Sequence, residues 1–215
     1  MPKIFVLLLS MSVSLVLGSC SSLATKPAVV KKISEEQVQQ RWQQRRQQLS
    51  NLSSWQMKGR MVVVNGVELW ALSVDWEQRG DQYVIFLSGP FGAGKIQLAG
   101  GSNGVLLRDS DNQIFYASTP EELLLNHTGI VMPLSYLRFW ILGLLQSSSN
   151  LAVNKVKFDQ LGRLESLSQE QWDVSFKRYT KADNINVELP DKIFIHKGDD
   201  VEVRIVVGEW LFDRT

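Results

Sequence analysis

The chain has 215 residues, of which 44% are hydrophobic, 21% charged and 9% aromatic, which excludes wholesale disorder, collagen-like repeats and a multi-span membrane protein. Lys and Arg number 23 against 22 Asp and Glu, so no excess positive charge favours nucleic acid. Cys20 is the single cysteine, which excludes an internal disulfide. The two histidines leave little scope for histidine-based metal or catalytic chemistry.

The N-terminus has the pattern of a secretory signal, because an apolar run over residues 4–17 follows Lys3 and ends in small residues. The run is short for a membrane span of ~20 residues. Leu17-Gly18-Ser19-Cys20 resembles the bacterial lipobox, in which the cysteine is lipidated. Residues 1–19 are therefore predicted to be a lipoprotein signal peptide and Cys20 the lipid anchor. The alternative is a soluble secreted protein with a chance cysteine near its cleavage site.

Residues 20–33 are predicted to be the lipidated N-terminus and a flexible tether, because they are small, basic and contain Pro27. Ser21 follows the cysteine where an aspartate would favour inner-membrane retention, which resembles an outer-membrane address facing the periplasm. Residues 34–215 show neither a repeat nor a linker and are predicted to form a single domain. It opens with a helix to about residue 50, capped by Ser34 and Gln37.

A two-residue hydrophobic period begins at Met57, and Asn65-Gly66 gives a strong hairpin signal. Residues 57–118 are predicted to form six antiparallel strands in a meander. Thr119-Pro120 predicts a helix start, and residues 134–143 predict a second helix that is apolar nearly all round and hence buried. Strand patterns then resume to the end of the chain.

The predicted fold class is mainly β with α (α+β). Eleven candidate strands and three helices indicate an incomplete antiparallel β-barrel, with helices inside it or across its mouth.

The segment Gly89–Lys95 matches the first seven positions of a phosphate-binding loop, G-x-x-x-x-G-K. Ile96 stands where a magnesium-binding Ser or Thr is needed, and a strand pattern follows in place of a helix. No nucleotide, cofactor or metal is therefore predicted. The sequence also contains none of the hydrolase, zinc or calcium motifs, so it favours a protein that is not an enzyme.

Phe91 is the only large side chain in the glycine-rich loop at 89–94. Either it folds back onto the core, or it is an exposed wedge for lipid or a partner. The seven tryptophans leave a similar choice, because they fit a large solid core or a curved sheet that forms a pocket for alkyl chains.

The chain resembles the LolB family of outer-membrane lipoprotein receptors from the lipobox to the last strand. The marks of this resemblance are Gly59-Arg60, the Trp70–Trp76 strand, Gly89-Pro90-Phe91-Gly92, Tyr116-Ala117, Met132-Pro133-Leu134 with Leu137, Trp140-Ile141-Leu142-Gly143, Trp172, Leu189-Pro190 and the Val203–Trp210 segment.

The resemblance implies an open barrel closed by helices around an apolar cavity. It implies a membrane-insertion loop at Pro90, Phe91 and Gly92, although many members have leucine at the position of Phe91. The candidate cavity-lining or lid residues are Trp70, Trp76, Leu137, Trp140 and Trp172.

The function that the resemblance implies is transport without catalysis. A soluble periplasmic carrier of the LolA type would deliver acylated lipoproteins, and this lipid-anchored monomer would insert them into the outer membrane without nucleotide hydrolysis. Two alternatives stay open: a membrane-tethered binder of other lipids or small hydrophobic ligands, and a structural or assembly lipoprotein of the envelope that needs no cavity.

Overall fold

The computed structural model describes residues 33–146, 153–183 and 185–212. The predicted signal peptide, Cys20 and the predicted tether up to residue 32 lie outside the described residues. Helix α1 (Glu35–Ser50) begins with the predicted capping box. The Gln37 backbone N–H donates to Ser34 Oγ at 3.3 Å, and the Ser34 backbone N–H donates to Gln37 Oε1 at 3.1 Å.

A single antiparallel sheet of eleven strands dominates the fold, in the order β6-β5-β4-β3-β2-β1-β11-β10-β9-β8-β7. Its strands are β1 (Ser54–Asn65), β2 (Glu68–Arg79), β3 (Gln82–Ser88), β4 (Ile96–Gly101), β5 (Gly104–Arg108), β6 (Ile114–Ala117), β7 (Val153–Phe158), β8 (Leu164–Gln169), β9 (Trp172–Lys181), β10 (Glu188–Lys197) and β11 (Val201–Leu211). Strands β6 and β7 form the two edges, so the sheet is not closed. This confirms the predicted open α+β architecture.

The first and last long strands join the two halves of the sheet. β1 pairs with β2 through the predicted Asn65-Gly66 turn and with β11 on its other side. The register with β11 shifts between Lys58 and Gly59. A Cβ atom at Gly59 would lie 2.5 Å from the Val206 carbonyl oxygen, so the close approach of the two backbones requires glycine here.

Two short helices lie between the halves of the sheet in sequence. Helix α2 (Pro120–Thr128) is capped by Thr119 and ends at Gly129 in the left-handed conformation, as predicted. Helix α3 (Leu134–Trp140) ends three residues before the predicted boundary at residue 143. The chain tightens there, because the Gly143 N–H donates to the Trp140 carbonyl at 2.8 Å.

The core lies between the inner face of the sheet and the helices. Trp55 packs against Trp76 and Trp210, with ring centroids 5.6 Å apart in both pairs. A buried polar chain links α3 to β8, since Trp140 Nε1–H donates to Gln169 Oε1 at 3.0 Å. Gln169 Nε2 in turn donates to the Gln146 carbonyl at 2.8 Å, which satisfies a side chain with no solvent exposure.

Candidate functional site

Two compartments lie beneath α3, on the inner side of the sheet. The smaller, of about 260 Å³, is bounded by strands β2 to β4, the start of α2 and α3. Its lining is mixed, with apolar side chains from Trp76, Ile85 and Leu134 and polar ones that include Ser102, Ser118, Thr119, Ser135 and Gln146. The larger, of about 410 Å³, lies between the end of α1 and the segment after α3. Its apolar walls are Leu49, Leu52, Trp55, Phe139, Leu142, Leu144 and Leu145.

Asp81 and Arg138 line both compartments. Asp81 is exposed in the turn between β2 and β3, and its Oδ2 accepts a hydrogen bond from the Ser102 backbone N–H at 3.2 Å. Arg138 is half-buried on α3, and its guanidinium carbon lies 4.6 Å from the centroid of the neighbouring Phe139 ring. The larger, mainly apolar compartment and the smaller, mixed one therefore meet at a polar junction formed by Asp81 and Arg138.

The electrostatics of the junction involve both signs of charge. Hydrogen bonds from Ser102 hold the pKa of Asp81 below its ordinary value, with a smaller contribution from the positive charge of Arg138. Burial raises the pKa of Tyr83 to about 12, and the negative charge of Glu121 adds to this effect. Glu121 itself is fixed, because its carboxylate accepts from the Ser135 backbone N–H at 2.6 Å and from Ser135 Oγ at 3.1 Å.

The predicted cavity residues take three different positions. Trp76 lines the smaller compartment and is 1% exposed. Trp70 is half-buried, with its ring beside Gly129 at the end of α2. Leu137, Trp140 and Trp172 are buried in the core, and none of them is among the residues that line the two compartments. Whether these three act in ligand binding stays a prediction.

The residues at the polar junction were not predicted from the sequence. The available signal was Arg138, which is the one charged residue in the otherwise apolar 134–143 segment. Charged side chains are rarely buried unless they are paired, so a cation in a helix that is buried on most sides indicates a specific role. Tyr83 and Asp81 carry no comparable signal, because a strand start and a polar turn account for them.

The predicted insertion loop forms a short 3-10 turn over Pro90–Gly92, between β3 and β4. It is closed by a hydrogen bond from the Gly89 N–H to the Ala93 carbonyl at 2.8 Å. Phe91 is 109% exposed, so it does not fold back onto the core. Its φ of 57° lies in the left-handed region, which costs a non-glycine residue roughly 1–2 kcal/mol.

The loop is not built to bind a phosphate group. A β-strand, Ile96–Gly101, follows Lys95, in place of the helix whose N-terminus would face the phosphate. The Lys95 ammonium lies 4.7 Å from the centroid of the Phe86 ring, which gives that side chain a cation–π contact. The match to the phosphate-binding pattern is therefore coincidental.

A further hollow, of about 680 Å³, lies largely on the other face of the sheet. Val84, Ala99, Leu106 and Tyr116 form a continuous row across β3 to β6 there. Tyr83 and Gly101 border both this hollow and the smaller inner compartment. No helical residue is among those that line the outer hollow, whereas residues of α3 line both compartments beneath that helix.

In the described ranges, no helix is both long enough and apolar enough to cross a membrane. The same ranges contain no cluster of three or more His, Cys, Asp or Glu side chains that could hold a metal ion.

Comparisons with known proteins agree with this architecture. The family model described as outer membrane lipoprotein LolB matches residues 53–210. The outer-membrane lipoprotein LolB of Halorhodospira halophila is 33% identical over 204 residues, covering 95% of this chain and 94% of that protein. The protein of the same name from Nitrosococcus oceani is 35% identical over 172 residues, covering 80% and 83%.

Among solved structures, a LolA superfamily protein from Nitrosomonas europaea has the same fold, with a TM-score of 0.52 at 8% identity. The match covers 83% of this chain and 94% of that one. The sequence matches extend over most of the chain and carry the lipoprotein name throughout, so the chain belongs to the LolB family of outer-membrane lipoproteins.

Proposed function

We propose that this outer-membrane lipoprotein accepts acylated lipoproteins from a soluble periplasmic carrier of the LolA type and inserts them into the outer membrane. In this proposal the lipid on Cys20 tethers the protein, the compartments beneath α3 hold the acyl chains, and the loop at Pro90–Gly92 contacts the bilayer. No covalent step and no nucleotide is required.

The observation that carries the proposal is the pair of adjoining compartments between the sheet and the helices, of which the larger has mainly apolar walls and the smaller a mixed lining. Their volumes, about 410 and 260 Å³, together fall in the ~300–1,000 Å³ range of ligand pockets. Leucine, phenylalanine and tryptophan side chains dominate the walls of the larger compartment. Such walls favour hydrocarbon chains over polar ligands, because each acyl CH₂ taken from water contributes about 0.8 kcal/mol.

The loop supports the membrane step. A fully exposed phenylalanine costs free energy in water and gains ~1.5–3 kcal/mol when it is buried in an apolar layer. That gain is too small to anchor a protein, but it can orient one that is already tethered by a lipid. Ile85 is the residue of β3 nearest the loop that lines the smaller compartment, and it lies four residues before Gly89, or about 13 Å along the chain, so the two sites are spatially distinct.

The direction of transfer follows from relative affinities. The acyl chains move from carrier to receptor if the receptor buries them better, and they move on to the bilayer because burial is more complete there. Each step is downhill, so the protein needs no energy source of its own.

A reconstituted transfer reaction tests the proposal. A LolA-type carrier loaded with a radiolabelled lipoprotein is mixed with outer-membrane lipid vesicles that carry or lack this protein. We expect the label to enter the vesicles only when the protein is present. If the label stays on the carrier, and lipids other than lipoproteins co-purify with the protein, the alternative of a tethered binder of other lipids replaces the proposal.

A further inference from the structure

The two compartments, one mainly apolar and one of mixed lining, share one polar junction, and this arrangement resembles the shape of a two-chain lipid. Arg138 and Asp81 are the only residues that line both compartments within the described part of the chain. A diacylglyceryl group likewise has two hydrocarbon chains that meet at one polar group. With one chain in each compartment, the glyceryl esters of that group would lie beside Arg138.

Arg138 has a hydrogen-bond donor that no protein group satisfies. Its Nε is buried and has no partner among the described residues. A buried donor without a partner costs about 1–3 kcal/mol, so a turn of the guanidinium that brings its donors to a ligand acceptor in the compartments recovers that loss. Gln146 lines the smaller compartment, and its Oε1 is also buried and unpaired. The residues of this compartment therefore include one unpaired donor and one unpaired acceptor.

The charges around Arg138 favour a neutral acceptor over an anion. At the junction the Arg138 guanidinium is set against one carboxylate, that of Asp81, and both residues line the two compartments. The two opposite charges leave the junction without a net charge. A phosphate or a free carboxylate would find no net positive charge there to offset its loss of hydration, whereas an ester carbonyl accepts a hydrogen bond without adding charge.

We infer that Arg138 recognises the ester carbonyls of the diacylglyceryl group on the incoming lipoprotein, so that the protein selects two-chain acyl esters and not hydrocarbon in general. The inference rests on the proposed function and names the chemical group of the ligand that the protein's compartments recognise. Arg138 then acts as a binding residue that distinguishes cargo from other apolar molecules.

The test compares two probes on two proteins. The probes are a peptide whose cysteine carries a dipalmitoylglyceryl group, and the same peptide with dihexadecyl ether chains, which lack the ester carbonyls. Each radiolabelled probe is equilibrated between a LolA-type carrier and the full-length lipidated protein. For each probe, the ratio of protein-bound to carrier-bound label is measured for the wild type and for Arg138→Met. Dividing one ratio by the other removes the carrier's own preference for the probe, because the same carrier is used in both measurements.

We expect Arg138→Met to lower acceptance of the diester probe about tenfold, the size of a lost hydrogen bond to a charged group, and acceptance of the diether less than twofold. Arg204→Met is the matched control, because Arg204 is exposed on β11 and bonded to Glu202, and it should change neither ratio. If Arg138→Met does not fold, Arg138→Gln serves instead, since it keeps a polar stem and loses the guanidinium.

Equal losses for the diester and the diether would overturn the inference and assign Arg138 a packing role. Unchanged acceptance of both probes would also overturn it. Failure of the wild-type protein to take either probe from the carrier would refute the proposed function itself, so the two failures are distinguishable.

Discussion

We expect substitution of Phe91 by glutamate to impair membrane insertion while leaving folding and cargo acceptance nearly unchanged. Phe91 is fully exposed at the tip of its turn, so its ring contributes no burial to the folded state. Phenylalanine and glutamate both bear a Cβ, so both pay for the left-handed backbone at φ 57°, and this cost cancels in the comparison. We expect the free energy of unfolding to change by no more than ~0.5 kcal/mol, the range typical of surface substitutions.

The effect on insertion should be large. Loss of the phenyl ring removes ~1.5–3 kcal/mol of favourable transfer to the bilayer, a factor of roughly 10–150 in the equilibrium for loop entry. The carboxylate adds a penalty of its own, because a charged group leaves water only at high cost. Acceptance of cargo from the carrier should persist, since Phe91 does not line either compartment.

The assay follows one radiolabelled lipoprotein through both steps, carrier to receptor and receptor to vesicle, with thermal unfolding of each variant measured in parallel. Phe91→Leu is the control, because it keeps an apolar tip and should insert cargo at close to the wild-type rate. A melting temperature several degrees lower in Phe91→Glu would refute the exposed-wedge reasoning. Wild-type insertion by Phe91→Glu would refute the role of the loop.

Three further predictions concern the anchor, the sheet and the smaller compartment. Cys20→Ala should abolish lipidation and leave the domain folded, as mass spectrometry of the mature N-terminus and detergent partitioning would show. Gly59→Ala should lower the free energy of unfolding by ~1–3 kcal/mol, because its Cβ would lie 2.5 Å from a backbone oxygen. Gly208→Ala, whose Cβ would meet the Lys58 carbonyl oxygen at an ordinary 3.6 Å, should be nearly neutral in the same denaturation assay. Because burial raises the pKa of Tyr83 from 10.0 to about 12, its contribution to stability is complete below pH 10 and is lost as the pH rises from 10 to 12. Tyr83→Phe should therefore reduce the loss of stability measured over that interval.

Local sequence signals were sufficient for the elements of the fold. Helix caps and hairpin turns depend on contacts between residues that are close in sequence, so the sequence pattern alone predicts them. The examples are the caps at Ser34 and Thr119, the helix end at Gly129 and the Asn65-Gly66 turn. The boundary of α3 was less predictable. The apolar pattern continues to Gly143, but the chain tightens into turns after Trp140, in the segment whose leucines line the larger compartment together with the end of α1.

The interior of the site was harder to predict, because alternation along a strand identifies the inner face but not which inner residues border empty space. Trp76 lies on the inner face of β2 and Trp140 lies on the apolar helix α3, and both side chains are almost completely buried. Trp76 borders a compartment, whereas the indole of Trp140 is bonded to Gln169, 29 residues away in sequence. Such contacts depend on how α3 lies across the sheet, which no short-range pattern encodes.

The conformation of the loop also bears on why a large apolar side chain stands at position 91. Glycine would adopt the left-handed backbone without the roughly 1–2 kcal/mol cost, and Gly92 and Gly94 beside it already do so at φ 79° and 57°. The Phe91 ring does not offset that cost in the folded state, because it is not buried. Backbone strain of this kind clusters at functional sites, so the observed φ supports the proposed role of the loop. In that proposal the gain that offsets the strain lies outside the isolated protein, and transfer of the ring into an apolar layer, worth ~1.5–3 kcal/mol, is of the right size.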